Sequence, residues 1–467
     1  MTQLTTRRVC YTILALHAFL VLIRPINDPD IWWHLRTGQY IRENLGIPRV
    51  DIYSFTAVGK PWIAHEWLSE LFMYEAFHIG AWLGLIVVSS LITAAVFVCL
   101  ARKCDAPPQI VLLATVGAQA AALVVLRDPR PRLATLVLSA VFFIELRDYV
   151  GNRRSRLWPL PILTVCWVNL HAGYPIGIVL IALAGIALFL DGDRGRLAHL
   201  VLIFGLSIVA ISMNPYGLRM FTYPFETQFS AAQMSLIAEW HAPDFRQSDT
   251  LPFLLLVLGI ITVLGLSKRR LSWFDLLSLI LACFLSFRSK RHISLLSLIA
   301  VPILAEQSWN WISSTSYGQR RISANSTERL LPILLILGVL IGVHFPAIYR
   351  TSKTPINLSD KPVAAVKFLE DRKLPDNVFS TYEWNDYLIW AARSRKVYID
   401  GRADMYGDEF LTQFAELDEK NWEANFDRYN INTALLPSSS QLASLIKQSA
   451  AWSQVYEDHQ ATILSRR

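Results

Sequence analysis

Apolar residues in this 467-residue chain gather in blocks instead of alternating with polar ones. Nearly charge-free stretches cover residues 9–23, 79–101, 108–126, 133–144, 157–168, 174–190, 197–213, 251–266, 271–286, 293–305 and 329–348. Crossing the hydrocarbon core takes about 17–25 residues, so the pattern predicts about eleven transmembrane helices, several of them extending past their apolar runs. Arg7 and Arg8 precede the first block as they would in a signal peptide, but no small-x-small cleavage signal follows. The block is therefore read as an uncleaved first helix.

Between the blocks lie two long loops, 26–78 and 214–250, and a tail from 350 onwards. In the first loop Ile31, Leu35 and Ile41 set a helical period that ends near Gly46 and Pro48. Such a helix is expected to lie along the membrane surface, with Trp32 and Trp33 anchoring at the interface. A second helix is expected from about His65 to His78, carrying Glu66, Glu70 and Glu75. The tail is richer in charge: "NVFSTY" and "KVYIDG" read as strands, "AAVKFLEDRK" and "SQLASLIKQSA" as helices. The expected organisation is a transmembrane domain over 1–349 and a small α/β domain over 350–467.

Composition agrees with a membrane: 53% of residues are hydrophobic and 17% charged, too apolar for an ordinary soluble domain. The basic residues orient the chain. With a cytoplasmic N-terminus, the inner loops carry Arg102 and Lys103, then Arg147, Arg153, Arg154 and Arg156, then Arg194 and Arg196, Lys268 to Arg270, and Arg320 and Arg321 in a 306–328 loop. Both long loops and the tail are then extracytoplasmic, and the expected location is the bacterial cytoplasmic (inner) membrane. The net charge of +7 is mostly spent on these loops, so nucleic acid is not an expected partner. Few ionisable residues fall mid-helix, which argues against an ion-driven transporter. The five cysteines show neither ligand spacing nor a disulfide framework. No phosphate-cradling glycine loop is present, which argues against a sugar-nucleotide donor.

Candidate chemistry gathers at the outer edge. Asp28 and Asp30 follow the first helix in "PINDPDIWWHLRTGQYI"; one can cap the next helix, while an i, i+2 acid pair also suits a general base or a divalent ion. Arg127, Arg130 and Arg132 in "RDPRPR", and Arg288, Lys290, Arg291 and His292, break the topology rule by lying outside. A lipid phosphate would explain either cluster, as would ordinary phospholipid headgroups. His34, His65, Asn169 and His171 are candidates to line a cavity, each also explained as an ordinary hydrogen-bonded residue. Asp400, Arg402 and Asp404 in "IDGRAD" read as salt-bridge formers that tie the tail down.

The run "DIWWHLR", a short helix, then "GIP" and an aspartate, resembles the first outer loop of membrane glycosyltransferases with the C-type fold. Within that group it is similar to oligosaccharyltransferase catalytic subunits, which place a catalytic aspartate before an aromatic-rich run; Asp30, Trp33 and Arg36 match it. In "SLIAEWHAPD", Glu239 sits where those enzymes carry a short motif ending in Glu. Trp384 and Asp386 in "YEWNDYL" resemble their acceptor-recognising motif, although Glu383, Asn385 and Leu388 depart from it.

The resemblance implies a polytopic α-helical membrane protein with a C-type glycosyltransferase-like fold and a small extracytoplasmic α/β domain. It implies transfer of a sugar from a polyprenyl-phosphate or diphosphate carrier to a protein, lipid or glycan acceptor. Asp30 is then the first choice of base, with Asp28 as helper and Glu239 as a second acid. The two basic clusters would hold the lipid phosphate, and Trp33, His34, Arg36, His65, Glu66, Asn169, His171, Trp384 and Asp386 would face the acceptor or cavity. The resemblance fixes no cofactor and leaves a metal open; Asp28, Asp30 and Glu239 suit Mg2+ or Mn2+. A ligase or other envelope transferase acting on a lipid-linked polysaccharide, and a non-enzymatic transporter or assembly subunit, are the open alternatives.

Overall fold

The structure, a computed structural model, describes residues 3–315, 330–417 and 421–467. The apolar blocks are carried by the α-helices Gln3–Leu20, Trp67–Arg102, Pro108–Leu126, Arg132–Val150, Pro159–Leu170, Pro175–Leu190, Arg194–Ile211, Leu251–Leu266, Trp273–Arg288, Ile293–Ser314 and Leu330–Lys353. Three of them, Trp67–Arg102, Pro108–Leu126 and Arg194–Ile211, are long and apolar enough to cross a membrane; Pro159–Leu170, Pro175–Leu190 and Leu251–Leu266 are shorter apolar helices. Local sequence explains several starts. Pro108, Pro159 and Pro175 stand at the first helical position, where no backbone N–H is missed. The side chains of Asp193 and Ser272 cap the helices that follow them, accepting from the N–H groups of Arg196 and Asp275.

The chain divides into two compact units. The first comprises Met1–Ile26, Gly80–Pro224 and Ile237–Pro355. Its centre is the helix Ile293–Ser314, buried along most of its first four turns and packed on Pro108–Leu126, Leu251–Leu266 and Trp273–Arg288. Three of its helices are also joined by charge. Arg147 Nε lies 2.8 Å from Asp275 Oδ1, and Arg147 Nη2 lies 2.9 Å from Glu306 Oε2. All three groups are largely buried, and each charge is tolerable there because the others answer it. Residues 306–314, expected in a loop, instead continue this helix; Arg320 and Arg321 lie outside the described residues.

The second unit comprises Asn27–Ile79, Phe225–Leu236 and Ile356–Arg467. It holds a sheet of strands β1 (Val378–Ser380), β2 (Thr433–Pro437), β3 (Trp452–Glu457) and β4 (Ala461–Arg466) in the order β1-β2-β4-β3. β1 and β2 are parallel, with Phe379 opposite Ala434; β2–β4 and β4–β3 are antiparallel. Helices Val363–Asp371 and Gln441–Gln448 fall where the apolar period places them. "KVYIDG" is not a strand of this sheet. Val397 makes only isolated bridges, to Ser54 and Val378. The reason is a competing partner: Phe55 N–H donates to Val397 O at 3.0 Å and Val397 N–H to Tyr53 O at 2.9 Å. The loop 27–79 and the tail are thus woven into one body.

Trp32 and Trp33 are buried in this unit, at 2% and 8% exposure, and are not presented to a surface. Trp32 meets the edge of Tyr387 with ring centres 5.0 Å apart. Their helix, Ile31–Asn44, crosses the start of Trp67–Arg102 at Gly38, where an added Cβ would lie 2.1 Å from Glu70 O. Only glycine allows backbones that close. Farther along, Trp67–Arg102 is broken at Gly80 and Ala81; Ala81 has φ 50°, a left-handed geometry that side chains other than glycine rarely adopt.

Candidate functional site

Two polar clusters stand out, one in each unit. In the second unit, Asp30 is the residue before helix Ile31–Asn44, yet its side chain caps nothing. Asp28 does the local work: its Oδ1 accepts the Asp30 N–H at 3.1 Å and fixes the turn. The carboxylate of Asp30 is turned to Gly401 instead. Around the point that a Cβ on Gly401 would occupy lie Trp33 Nε1 at 2.6 Å, Asp30 Oδ1 at 2.7 Å and Asp386 Oδ2 at 3.1 Å. Helical spacing puts Trp33 on the Asp30 side of the helix. Asp386, from helix Tyr382–Ala391, accepts the Gly401 N–H through Oδ1 at 2.8 Å. Its Oδ2 and the Trp33 indole N–H are both buried with no hydrogen-bond partner. Burial, then the charges of Asp30 and Asp400, push the Asp386 carboxyl well above the usual carboxylate range, against the opposing Gly401 N–H. One indole donor and two carboxyl groups, Asp386 being the one that resists ionisation, therefore converge on one point above Gly401.

One turn along the same helix, His34 Nδ1 lies 3.1 Å from Glu70 Oε1 and 3.9 Å from Glu66 Oε2. Burial disfavours the charged imidazole, but Glu70 and Glu66 outweigh it and hold the His34 pKa above its ordinary value. His65 Nε2 lies 3.4 Å from Glu66 Oε1. His34, Glu66 and Glu70 each offer a donor atom within 4.8 Å of the others, a set that suits a divalent cation. Other predicted residues are spent locally. Arg36 donates to Gln39 Oε1 at 3.0 Å, and Trp384 Nε1 donates to Asp360 O at 2.7 Å.

The first unit carries the second cluster. Glu239, in the short turn Ala238–Trp240, accepts from Arg132 Nη1 at 2.7 Å and pairs with Arg130 Nη1 at 3.1 Å. Burial would raise its carboxyl, but Arg132, Arg130 and Arg291 hold it far below the usual range. Arg132 Nε is buried without a hydrogen-bond partner. The Arg291 guanidinium stacks on the Trp240 ring at 4.8 Å and comes within 3.5 Å of His171 Nε2. His171 Nδ1 receives the Gly173 N–H at 3.0 Å and lies 2.7 Å from Thr135 Oγ1, which itself accepts from Trp167 Nε1 at 2.9 Å. Nδ1 is thereby fixed as an acceptor, which leaves Nε2 as the N–H of the neutral ring. Two donors then face one another beside an excess of guanidinium charge, an arrangement that invites an anion.

The remaining predicted residues lie around this cluster. Ser289 Oγ donates to Glu239 O at 2.9 Å and Lys290 N–H to His241 O at 3.0 Å, so the 288–292 segment is stitched to the Glu239 turn. Burial and Arg291 push the His292 pKa down to about 4. Arg288 and Arg127 are exposed. Asn169 holds a turn, donating to Val165 O and Met213 O.

Sequence reasoning assigned no role to Gly401 or Glu70. Glu70 had a signal, since it follows Glu66 by one helical turn. Gly401 had none, because its importance is the space above it.

No family model and no curated protein sequence matches this chain. Solved structures match its fold. ArnT from Cupriavidus metallidurans bound to undecaprenyl phosphate aligns over 97% of both chains with a TM-score of 0.58 and 13% identity. The archaeal oligosaccharyltransferase AglB from Archaeoglobus fulgidus, in complex with an inhibitory peptide and a dolichol-phosphate, aligns over 97% of this chain and 74% of its own, with a TM-score of 0.60 and 10% identity. The chain therefore shares with these two structures a mostly helical fold that ends in a small mixed β-sheet domain.

Proposed function

We propose that this protein is a membrane glycosyltransferase that moves a sugar or glycan from a polyprenyl-phosphate or diphosphate carrier to an acceptor. The reaction is assigned to the outer face of a bacterial cytoplasmic membrane, with a cytoplasmic N-terminus, about eleven crossings within 1–349 and the 350–467 region outside. The observation that carries the reading is the convergence of Asp30, Trp33 and Asp386 over Gly401, in a chain whose fold resembles proteins solved with lipid phosphates.

In this reading the Asp30 carboxylate takes the proton from the acceptor nucleophile as the glycosidic bond forms. The Trp33 N–H and the Asp386 carboxyl orient the acceptor, and Asp28 positions Asp30 through its backbone. Arg130, Arg132, Arg291 and His171, in the first unit, are assigned on their own chemistry to binding a carrier phosphate. Glu239 stays ionised and acts as the counter-charge that holds Arg130 and Arg132. A buried cation at His34, Glu66 and Glu70 would brace the helix bearing Asp30.

The test is sugar transfer by the purified protein in nanodiscs, with a panel of polyprenyl-phosphate and diphosphate sugars and an envelope extract as acceptor. Asp30→Asn is expected to lower transfer at least about a hundredfold while the protein stays folded. Transfer untouched by Asp30→Asn would remove Asp30 from the chemistry. Wild-type protein that binds carrier but moves no sugar to any added acceptor would favour a transport or assembly role.

A further inference from the structure

We infer that His34, Glu66 and Glu70 form a tight site for one divalent transition-metal ion, Zn2+ or Mn2+ in preference to Mg2+ or Ca2+. This site is distinct from the Asp28, Asp30 and Glu239 carboxylates. It does not depend on the glycosyltransferase reading.

The donor atoms come from two segments that Gly38 brings into contact: His34 from helix Ile31–Asn44, Glu66 and Glu70 from the start of Trp67–Arg102 and the turn before it. They lie within 4.8 Å of one another, and all three residues are buried. Hydrogen bonding alone leaves this group incomplete. Glu70 is 1% exposed, and its Oε2 has no hydrogen-bond partner although Oε1 meets His34. Glu66 is also met by a second imidazole, His65 Nε2 at 3.4 Å, whereas Glu70 has His34 alone. An unmatched buried carboxylate oxygen costs free energy that a cation would recover. One imidazole nitrogen with two carboxylates is a mixed nitrogen and oxygen set. Such sets suit Zn2+ and Mn2+, whereas Mg2+ and Ca2+ prefer oxygen alone. The ion would staple helix Ile31–Asn44 one turn after Asp30. Trp33, whose ring packs on His34 at 3.7 Å, is held with it.

The experiment is metal content by mass spectrometry, with X-ray absorption, on the full-length protein in nanodiscs. Samples are dialysed first against chelator and then against Zn2+, Mn2+ or Mg2+. The expected result is one Zn2+ or Mn2+ per chain, with a first shell of nitrogen and oxygen including one imidazole, and a melting temperature that falls on chelation and returns with metal. His34→Gln and Glu70→Gln should lose the ion, while Glu239→Gln retains it. A wild type that takes up no ion, an all-oxygen or sulfur shell, or an ion retained in both His34→Gln and Glu70→Gln would overturn the assignment. If those variants fail to fold, the wild-type absorption spectrum decides alone.

Discussion

Arg402 donates to Asp51 at 2.6 Å across 351 positions of sequence, and both side chains are fully buried. Arg402 also grips Asp400 through Nε at 2.7 Å and Nη2 at 2.6 Å, and stacks between Tyr53 at 4.8 Å and Trp62 at 4.5 Å. Removing the guanidinium would strand two carboxylates in the interior, an effect of about 3–5 kcal/mol for a buried pair. Arg402→Ala is expected to lower the melting temperature of the purified protein sharply. Arg402→Lys should recover little, because an ammonium cannot reproduce the planar fork. Equal stability of Arg402→Lys and wild type would show that charge alone suffices.

Gly401→Ala tests the space that the three polar groups share. The new methyl carbon would lie under 3 Å from both Trp33 Nε1 and Asp30 Oδ1. Misplacing a reacting group by about 1 Å can cost a hundredfold. Transfer should fall by about that factor and the melting temperature should fall with it, since the methyl overpacks a buried site; unchanged transfer would remove this point from the acceptor path.

Asp386 gives a pH signature. Its folded pKa is raised, so it contributes stability below its unfolded value of about 4, and that contribution is lost as pH rises. Above about pH 4 the unfolded chain ionises this group more readily than the folded one. Asp386→Asn should therefore flatten the decline in melting temperature that sets in above about pH 4. A wild-type and variant pair with parallel profiles would mean that Asp386 ionises normally.

Glu239 is the opposite case. Its depressed pKa contributes stability above the ordinary carboxylate range, lost only in strong acid. Glu239→Gln leaves Arg130, Arg132 and Arg291 without their shared counter-charge. Added undecaprenyl phosphate should then raise the variant's melting temperature more than the wild type's. Arg132→Ala should abolish the difference.

Much of this was legible because hydrocarbon-length apolar runs admit few structures. The runs at 108–126 and 251–266 became the helices Pro108–Leu126 and Leu251–Leu266. Asp30 and Asp386 are named through the resemblance of "DIWWHLR" and "YEWNDYL" to known motifs, not from their aromatic neighbours alone. What escaped was set by long-range partners. The "KVYIDG" segment has the composition of a strand, but its backbone is taken by Tyr53 and Phe55. The tryptophans of "DIWWHLR" look like interface anchors until Tyr387 supplies a surface to bury them. Glu239 could be located, but its role depends on Arg130 and Arg132, more than a hundred residues earlier.

The weave of residues 53–55 with Val397 also sets a schedule for synthesis. The first loop leaves the ribosome early, but the residues that complete its backbone pairing and neutralise Asp51 follow about 350 residues later. At about 5–20 residues per second, that is a wait of roughly 20–70 s. Throughout it Asp51 has its local partners in Tyr53 and Ser54 but no counter-charge from Arg402, and the backbone at 53–55 stays open, the kind of surface that chaperones hold and proteases cut. A nascent chain stopped short of Val397 should therefore be cleared by quality control, although every residue around Asp30 in the first loop has already been made.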